Sequence, residues 1–531
     1  MESKSYKTFG VVVTGILVLW CALLLVQKVN LSRADIGRHI KNGEIMVDTS
    51  WSEKMEVLNT NFYSFTENNF PFVNHHWLSG VVFYFIFILG GFKGLSFFYI
   101  FLSCLSFYIL FRIAKNEAGL EVASILSILV LPIITQRAEI RPEVFTYLFL
   151  ASFFYILWKW TKEEITEESK LRDKKYLFLL PILMLLWINL HVGFIFGFLL
   201  LGSFWISEFV NFCKTKKIKR IKWLTLISLF SAILSLINPF FIKGLFYPFR
   251  IFENYGYLVL ENQSISFLEN LNITNGLHFG LIKFLYTLAL LSFALPLFVK
   301  KDLRKFPIQN LIIFVATSVW SYFAVRDFPI FSLLFLPIVA YNIGFFFSKN
   351  ENNIGKNLSI TFLVITLVWF SLTSFSRIKE KESSFGIGLM PKVNAAVEFY
   401  KYQNIKGPIF NNYDIGGYLI FHLFPEEKVF VDNRPEAYSV DFFQKIYVPA
   451  QEKREEWLKL DQKYNFNSIF FSHLDLTPWG QNFLIQEVSD FAWAPVFADE
   501  YNIIFLKRNT QNAEIIKKYE IPKSNFGVTR Q

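Results

Sequence analysis

Charged residues are scarce in this chain of 531 residues, whereas long apolar runs are abundant. Asp, Glu, Lys and Arg together make up 18% of the sequence, while hydrophobic residues make up 53% and aromatic residues 19%. Soluble domains average about 25% charged residues, so the composition excludes a cytosolic enzyme and a disordered chain. The apolar runs reach about 17 to 20 residues, enough to cross about 30 Å of hydrocarbon. The sequence therefore predicts an integral membrane protein.

Cysteine and the common catalytic motifs are also lacking. The three cysteines, Cys21, Cys104 and Cys213, lie in or beside apolar segments, which excludes a disulfide framework and a zinc-ligand cluster. The chain has no phosphate-binding glycine loop, no HExxH and no GxSxG. Gly416 and Gly417 in YDIGGYL are too few for a dinucleotide site, and we expect them to permit a tight backbone turn.

The net charge of +10 does not indicate a nucleic-acid partner. Membrane proteins gain Lys and Arg by anchoring their cytoplasmic loops. Lys4 and Lys7 precede an apolar run at 9–27 that no small-residue cleavage site follows. This pattern predicts a retained signal anchor with its N-terminus in the cytoplasm.

The apolar pattern predicts about eleven transmembrane helices. They occupy residues 9–27, 95–111, 119–135, 143–158, 176–190, 193–212, 223–237, 281–299, 308–325, 328–347 and 358–376. With the N-terminus inside, the cytoplasmic connections contain the basic clusters Arg112 and Lys115, 159–175, 214–222, 300–305, and Lys349 and Lys356. Trp77 to Gly91 is apolar but only about 15 residues long, which suits a juxtamembrane helix. If it were instead a tilted span, every later segment would be reversed and the basic clusters would lie outside.

This topology divides the chain into two predicted domains. Residues 1–376 form a transmembrane domain with a long first external loop at 28–94, and residues 377–531 form an external tail. The tail has an α/β pattern with a helix at 392–404 and short strands at 407–410, 429–432, 468–472 and 503–507. We therefore expect a multi-pass protein of the bacterial inner membrane with an external C-terminal α/β domain.

Ionisable residues at the ends of apolar spans are the candidate functional groups, because charge near hydrocarbon is costly unless it is paired or faces a wet cavity. On the predicted topology they gather on one side of the membrane. They are Asp35 and His39 in RADIGRHIKNG, His75 and His76 in NHHWLS, Arg137, Glu139, Arg141 and Glu143 in QRAEIRPE, His191 in NLHVG, and Glu261. Carboxylates, arginines and imidazoles together suit deprotonation of a hydroxyl beside a bound phosphate.

Each candidate also has a structural interpretation. Asp35 could cap the helix that follows it, and the histidines could be interfacial anchors. The segment from Arg137 to Glu143 could be a self-neutralising pair at a helix start, with Pro142 in the first turn. In the tail, Asp432, Asn433 and Arg434 follow the predicted strand KVFV in FVDNRPEAYS. They could help to position an acceptor, or Asp432 and Arg434 could pair locally in a turn.

Several of these segments resemble the GT-C superfamily of integral membrane glycosyltransferases. DIGRHIKNG after the first span, NHHWLS before a juxtamembrane helix and RPE at the start of a later span are similar to bacterial relatives of the protein mannosyltransferases and the aminoarabinose transferase. FNNYDIGGYLIF and FVDNRPEAYS are similar to an uncharacterised bacterial branch of this superfamily.

The resemblance implies transfer of a sugar from a polyprenyl-phosphate carrier to a glycan, lipid or protein acceptor on the external face, with inversion at the anomeric carbon. It implies that Asp35 contacts the acceptor and acts as the base, and that Glu143 is the acid at the start of the fourth span. Many relatives have two adjacent acids in the first loop, whereas Asp35 is followed by Ile36. A single carboxylate is a poor site for a divalent cation, so metal dependence stays open.

The residues suggest a division of roles in such a reaction. Arg137 or Arg141, with His75 and His76, would bind the departing phosphate of the donor. Glu261, His191, Asp432 and Arg434 would be available to the acceptor. Two other functions compete: a lipid or solute transporter, and a non-catalytic assembly or sensor protein whose tail binds a partner. Against transport, the midspan positions carry almost no ionisable groups and no inverted repeat is evident.

Overall fold

The computed structural model describes residues 4–163, 171–273, 278–295, 306–347 and 353–527. The chain divides into two compact units. We call residues 1–27, 96–251 and 259–387 the membrane unit, and residues 28–95, 252–258 and 388–531 the loop–tail unit. The first predicted external loop therefore groups with the tail. The division predicted from sequence, at 376/377, assigned it to the transmembrane domain.

The membrane unit is built from apolar helices. They are Lys4–Leu25, the later part of Trp77–Ile134, Glu143–Lys162, Leu179–Leu190, Ile195–Thr215, Lys219–Ser235, Ile242–Phe246, Ile265–Asn270, Phe279–Ser292, Ile308–Phe323, Phe328–Phe347 and Asn353–Glu380. Within the described ranges, six helices are long and apolar enough to cross a membrane, and Phe279–Ser292 and Ile308–Phe323 are shorter apolar helices. The predicted helical membrane fold is confirmed, while the number of eleven spans stays a prediction.

Each predicted span coincides with a helix as far as the described residues extend. The span at 281–299 runs beyond residue 295, outside the described part of the chain. Six of the basic residues that set the predicted orientation also lie outside the described part of the chain. These are Lys170, Lys300, Lys301, Arg304, Lys305 and Lys349.

Two glycines interrupt the helical run Trp77–Ile134. Gly91 has a φ of 58° and Gly119 a φ of 84°, a left-handed conformation that glycine adopts without steric cost. The predicted juxtamembrane segment thus ends at Gly91, and the apolar segments predicted at 95–111 and 119–135 follow it. Whether the first segment crosses the membrane stays a prediction.

The interior of the membrane unit is rich in aromatic contacts and small residues. Phe149 stacks on Trp187 with ring centroids 5.6 Å apart. A Cβ atom at Gly197 would lie 2.8 Å from the Met184 side chain and 3.0 Å from Trp187, so glycine allows the two helices to approach closely. Several buried hydroxyls donate to carbonyls of their own helices, as where Ser106 donates to the carbonyl of Leu102 at 2.7 Å.

The loop–tail unit combines helices with one small sheet. Its strands are β1 Ile409–Asn411, β2 Ser468–Ser472, β3 Trp493–Ala498 and β4 Asn502–Lys507. The sheet order is β1-β2-β4-β3, with β1 parallel to β2 and the other pairs antiparallel. The helices are Ile36–Asp48, Trp51–Asn59, Ala395–Tyr402, Gly416–Leu423, Val448–Glu452, Arg454–Tyr464, Pro478–Ser489 and Ala513–Tyr519, together with the start of Trp77–Ile134 and a π-helix at Phe442–Tyr447.

The strand predicted at 429–432 is wrong. Val429 makes only an isolated bridge to Ser64 of the first loop. The side chain of Asn411 takes the next backbone groups, accepting from Phe430 N at 2.9 Å and donating to Val431 O at 2.7 Å. A side chain therefore replaces a neighbouring strand. Strand Trp493–Ala498, which we did not predict from sequence, pairs with β4 instead.

Gly416 and Gly417 allow close packing at the start of helix Gly416–Leu423. Neither has a positive φ, so a turn conformation is not what requires glycine there. A Cβ at Gly416 would lie 2.4 Å from the Cα of Asp432, and one at Gly417 would lie 3.3 Å from the amide of Asn433. Glycine therefore brings this helix against the DNR segment.

Candidate functional site

Arg137 is the centre of an ion-pair cluster in the membrane unit. It lies in the short segment between helices Trp77–Ile134 and Glu143–Lys162. Its Nη2 donates to Glu143 Oε1 at 3.0 Å and to Glu261 Oε2 at 3.1 Å. Within the described part of the chain, the side-chain hydrogen bonds of Arg137 use Nη2 alone, so Nε and Nη1 remain as donors for a ligand.

Glu261 joins the cluster from the turn Leu260–Asn262. Arg141 Nη1 donates to both of its carboxylate oxygens at 2.9 Å. Burial raises the pKa of Glu261, but the attraction of Arg137 and Arg141 outweighs this effect and lowers the pKa to about 2. Glu261 is therefore ionised at neutral pH. Glu261 contacts the arginines and also lines the cavity beside them, and its predicted role in acceptor binding stays a proposal.

Arg326 completes the cluster and was missed in the sequence analysis. Its Nη2 donates to Glu143 Oε1 at 3.0 Å, and its Nη1 donates to Asn262 Oδ1 at 3.0 Å. A signal was available in the sequence, since Arg326 and Asp327 form a charged pair between two predicted spans. That position carries the same cost near hydrocarbon as the candidates that we selected.

A cavity of about 420 Å³ opens beside Arg137 and Arg141, a volume within the range of small-molecule sites. One part of its wall is polar and another is apolar. The polar part includes Gln27, Gln136 and Glu139, and the apolar part includes Leu260, Leu268, Ile273, Val325 and Pro329. Such a wall suits a ligand with an anionic head and a hydrocarbon body.

Glu143 lies behind the arginines and does not line this cavity. Its side chain is 7% exposed, whereas that of Glu139, at the cavity, is 45% exposed. One Glu143 oxygen accepts from both Arg137 and Arg326. The geometry therefore favours a role for Glu143 in fixing the two guanidinium groups, rather than in direct proton transfer.

His191 is buried at the turn that joins helix Leu179–Leu190 to the next helix. Its Nδ1 accepts from Gly193 N at 3.0 Å and lies 2.7 Å from Thr146 Oγ1. Burial lowers its pKa to about 4, so the ring is neutral at neutral pH. These contacts favour a structural role in the turn, and a role in acceptor binding stays a proposal.

Asp35 occupies a second cluster, in the loop–tail unit. It occupies the N-cap position of helix Ile36–Asp48, but its side chain makes no capping hydrogen bond to that helix. Its Oδ1 accepts from the side-chain amide of Asn433. The Asn433 carbonyl in turn accepts from Arg38 Nε at 3.2 Å. These two bonds fix the orientation of the amide.

His76 lies beside both of the other histidines of the first loop, His39 and His75. The rings of His75 and His76 have centroids 3.7 Å apart, and His76 lies 5.5 Å from the ring of His39. His39 follows Asp35 on helix Ile36–Asp48. The predicted phosphate ligands His75 and His76 thus form an imidazole cluster with His39, and their role in binding a donor stays a proposal.

Asp432 and Arg434 form a buried pair in the loop–tail unit. They are 0% and 2% exposed, and Arg434 Nη2 and Nε donate to the Asp432 carboxylate at 2.6 Å and 2.7 Å. Arg434 also donates to Asn61 at 3.0 Å and lies over the ring of Phe72 at 4.7 Å. The local pairing that the sequence allowed is therefore present. The predicted role of the two side chains in acceptor binding stays a proposal.

The acids of the two clusters do not suit a divalent cation. Glu143 and Glu261 accept from arginines, and Asp35 accepts from an amide N–H. Both carboxylate oxygens of Glu261 and one oxygen each of Glu143 and Asp35 accept hydrogen bonds, and these donors compete with the oxygen coordination that such cations need. Among the described residues, no three of His, Cys, Asp or Glu are placed to bind a metal ion.

No family model and no curated protein sequence matches the chain. Solved structures do match it. The oligosaccharyltransferase AglB from Archaeoglobus fulgidus, in complex with an inhibitory peptide and a dolichol-phosphate, has a TM-score of 0.61 and 12% identity over 93% of this chain and 73% of that chain. Another structure of the Archaeoglobus fulgidus oligosaccharyltransferase, tethered with an acceptor peptide, has a TM-score of 0.61 and 13% identity over 96% of this chain and 75% of that chain.

ArnT from Cupriavidus metallidurans in the apo state has a TM-score of 0.52 and 13% identity, over 96% of this chain and 99% of that chain. AglB and ArnT are both GT-C glycosyltransferases. The chain shares the fold of these two proteins, and the predicted resemblance is confirmed for the fold alone.

Proposed function

We propose that this protein is a membrane glycosyltransferase that transfers a sugar from a polyprenyl-phosphate donor to an acceptor. The observation that carries the proposal is the position of Arg137, which lines a cavity with polar and apolar walls and whose Nε and Nη1 donate no hydrogen bond to any described residue. The fold shared with AglB and ArnT supports the same class of reaction.

The cavity suits the leaving group of such a donor. Arg137 and Arg141 would donate hydrogen bonds to phosphate oxygens, while Leu260, Leu268 and Val325 would contact the first isoprene units. Charge develops on the phosphate as its bond to the sugar breaks. Fixed guanidinium donors stabilise that charge without reorganising during the reaction.

The remaining members of the cluster act as positioning residues. Glu143 and Glu261 hold Arg137 from two sides, and Arg326 neutralises Glu143 from behind. Without them the Arg137 side chain would sample several rotamers. A guanidinium that is fixed before the donor arrives loses less entropy on binding.

Asp35 is the proposed general base, as the resemblance implies. It would accept the proton of an acceptor hydroxyl while the oxygen attacks the anomeric carbon. The bond between that carbon and the phosphate oxygen breaks with its electron pair, and the configuration at the carbon inverts. The amide of Asn433 holds Asp35 in place, which makes Asn433 a positioning residue for the base.

The proposed setting is the external face of a bacterial inner membrane. Gln27, which lines the Arg137 cavity, follows the end of helix Lys4–Leu25 that is remote from Lys4 and Lys7. A basic N-terminus on the cytoplasmic side would therefore place the cavity on the other side. The structure of AglB contains a dolichol-phosphate together with an inhibitory peptide, which supports a lipid phosphate as a ligand for a protein of this fold.

Binding of a polyprenyl phosphate tests the proposal directly. The purified full-length protein in detergent would be titrated with undecaprenyl phosphate, and binding followed by native mass spectrometry. We expect saturable binding that Arg137→Gln weakens about tenfold or more, as removal of a charged hydrogen-bond donor typically does.

Arg508→Gln is the matched control, since Arg508 pairs with Glu520 on the surface of the tail. It should bind like the wild type. Equal binding by the Arg137 variant and the wild type would contradict the assignment of the cavity to the donor phosphate.

A further inference from the structure

A groove of about 630 Å³ separates helix Lys4–Leu25 from the following helix in the membrane unit. Its apolar walls include Val11 and Val18 on one side and Phe101 and Leu105 on the other. Val11 is 73% exposed and Phe101 is 62% exposed. These side chains form an open apolar channel of the kind that a hydrocarbon chain fills in a bilayer.

Glycine makes room in the floor of this groove. Gly15 lines it, and a Cβ at Gly15 would meet no atom within 4 Å. The space beside Gly15 is therefore open and is not filled by a neighbouring side chain. A larger residue there would occupy the groove without a clash inside the protein.

Two cations close one end of the groove. Arg112 and Lys115 line it together and stand three residues apart on one helix, a spacing that puts them on the same face. Across the described ranges, no carboxylate lies within ion-pair distance of either. The nearby acids are engaged elsewhere, because Glu117 pairs with Lys162 at 2.6 Å and Glu121 accepts from Tyr6 at 2.8 Å.

We propose that this groove binds an anionic phospholipid. Its phosphate would lie between Arg112 and Lys115, and one acyl chain would lie along Val11, Val18 and Phe101. Basic residues beside an apolar groove at a membrane surface attract anionic headgroups. An anion without hydrocarbon would leave the apolar walls uncovered, so the groove selects a lipid.

This site is separate from the proposed donor cavity. The groove begins at Gly10 and the donor cavity includes Gln27, which lie roughly 25 Å apart along a helix at 1.5 Å per residue. On the predicted topology the groove faces the cytoplasmic leaflet. The lipid would hold the first two helices of the membrane unit together without taking part in transfer.

The test measures lipid selectivity. Full-length protein in detergent would be titrated with phosphatidylglycerol or with phosphatidylcholine and examined by native mass spectrometry. We expect one phosphatidylglycerol to bind about tenfold more tightly than phosphatidylcholine, from two cations near the headgroup. Arg112→Gln with Lys115→Gln should abolish this preference, whereas Lys175→Gln with Lys222→Gln, which removes two exposed lysines outside the groove, should preserve it.

A second pair of variants probes the apolar part. Gly15→Leu should weaken binding of both lipids at this site. Gly202→Leu, at another open helical glycine, should not. The proposal is overturned if the double variant of Arg112 and Lys115 keeps the preference for phosphatidylglycerol. It is also overturned if both double variants lose this preference equally, or if glycerol phosphate displaces the bound lipid. Undecaprenyl phosphate binding through Arg137 is measured separately, so the two proposals fail independently.

Discussion

The side-chain amide of Asn433, in the tail, donates a hydrogen bond to the carboxylate of Asp35, in the first loop. The two residues are separated by 398 positions in the sequence. The same asparagine accepts from Arg38, so its amide cannot rotate without losing a bond. The proposed base is thus oriented by a segment that is remote in the chain.

This contact predicts how variants of Asp35 and Asn433 will behave. Asp35→Asn should lower the transfer rate about 10²-fold or more, the usual cost of losing a general base. Asn433→Ala should lower kcat by a smaller factor with little change in KM, because it affects only the position of the base. Asn433→Asp should be worse than Asn433→Ala, since a second carboxylate would repel the first. Equal kinetics for Asn433→Ala and the wild type, at an unchanged melting temperature, would exclude the positioning role.

Arg137 and Arg141 should differ in their tolerance of lysine. Lysine keeps the charge but offers a point of charge in place of a planar set of donors. Arg137 bridges two acids and lines the cavity, so Arg137→Lys should reduce kcat about tenfold or more, as loss of a donor to a developing charge does. Arg141→Lys should have a smaller effect. Steady-state kinetics of the two variants decide the order, and full activity in both would contradict a guanidinium-specific phosphate site.

Substitution of Glu143 should destabilise the fold more than the same substitution of Glu139. Glu143→Gln leaves Arg137 and Arg326 without their shared buried carboxylate, and breaking a buried pair typically costs about 3 to 5 kcal/mol. Glu139→Gln removes a half-exposed partner of Arg141 and should cost at most about 1 kcal/mol. Thermal unfolding in detergent gives both values. A similar melting temperature for the two variants would show that the cluster does not stabilise the fold.

The lowered pKa of Glu261 predicts that the folded protein loses stability at acidic pH. Its pKa is lowered to about 2 in the folded protein, below the value of about 4.3 expected for an unfolded chain. Its ion pairs therefore stabilise the fold above about pH 4, and this contribution is lost as the pH falls from about 4 to 2. A series of melting temperatures from pH 6 to pH 2 should show this loss. Glu261→Gln should be less stable at pH 6 and show a shallower decline.

Arg434→Ala tests whether the buried tail pair is structural. It leaves the buried Asp432 carboxylate without its cation, so the melting temperature should fall. The dependence of the rate on acceptor concentration should stay unchanged if the pair has no contact with the acceptor. Arg508→Ala, at a surface pair, serves as the control. An altered acceptor dependence at an unchanged melting temperature would support the acceptor-binding interpretation instead.

Much of the membrane fold could be predicted because its signal is local. An apolar run of sufficient length forms a helix in lipid wherever it occurs, since its backbone has no other partner there. The charged residues at the ends of the runs could be recognised as candidates because charge near hydrocarbon is costly. Arg137, Arg141, Glu143 and Glu261 are indeed brought together in one cluster.

The tail was harder to predict, because its signals depend on partners far away in the sequence. The run KVFV has the composition of a strand, yet the Asn411 side chain takes the backbone groups of its last residues. The run WAPVFA contains a proline, which usually argues against a strand, yet it forms the edge of the sheet with a register shift at Pro495 and Phe497.

The sequence by itself determined that this is an integral membrane protein. It also determined the positions of the apolar helices and most of the charged residues of the candidate site. These follow from composition and from the cost of charge near hydrocarbon, which act on each segment separately. Only the tertiary structure decided that Arg326 shares Glu143 with Arg137 across 183 positions, and that Arg434 is buried against Asn61 across 373 positions. Such pairings arise from long-range packing, which a local pattern of residues does not specify.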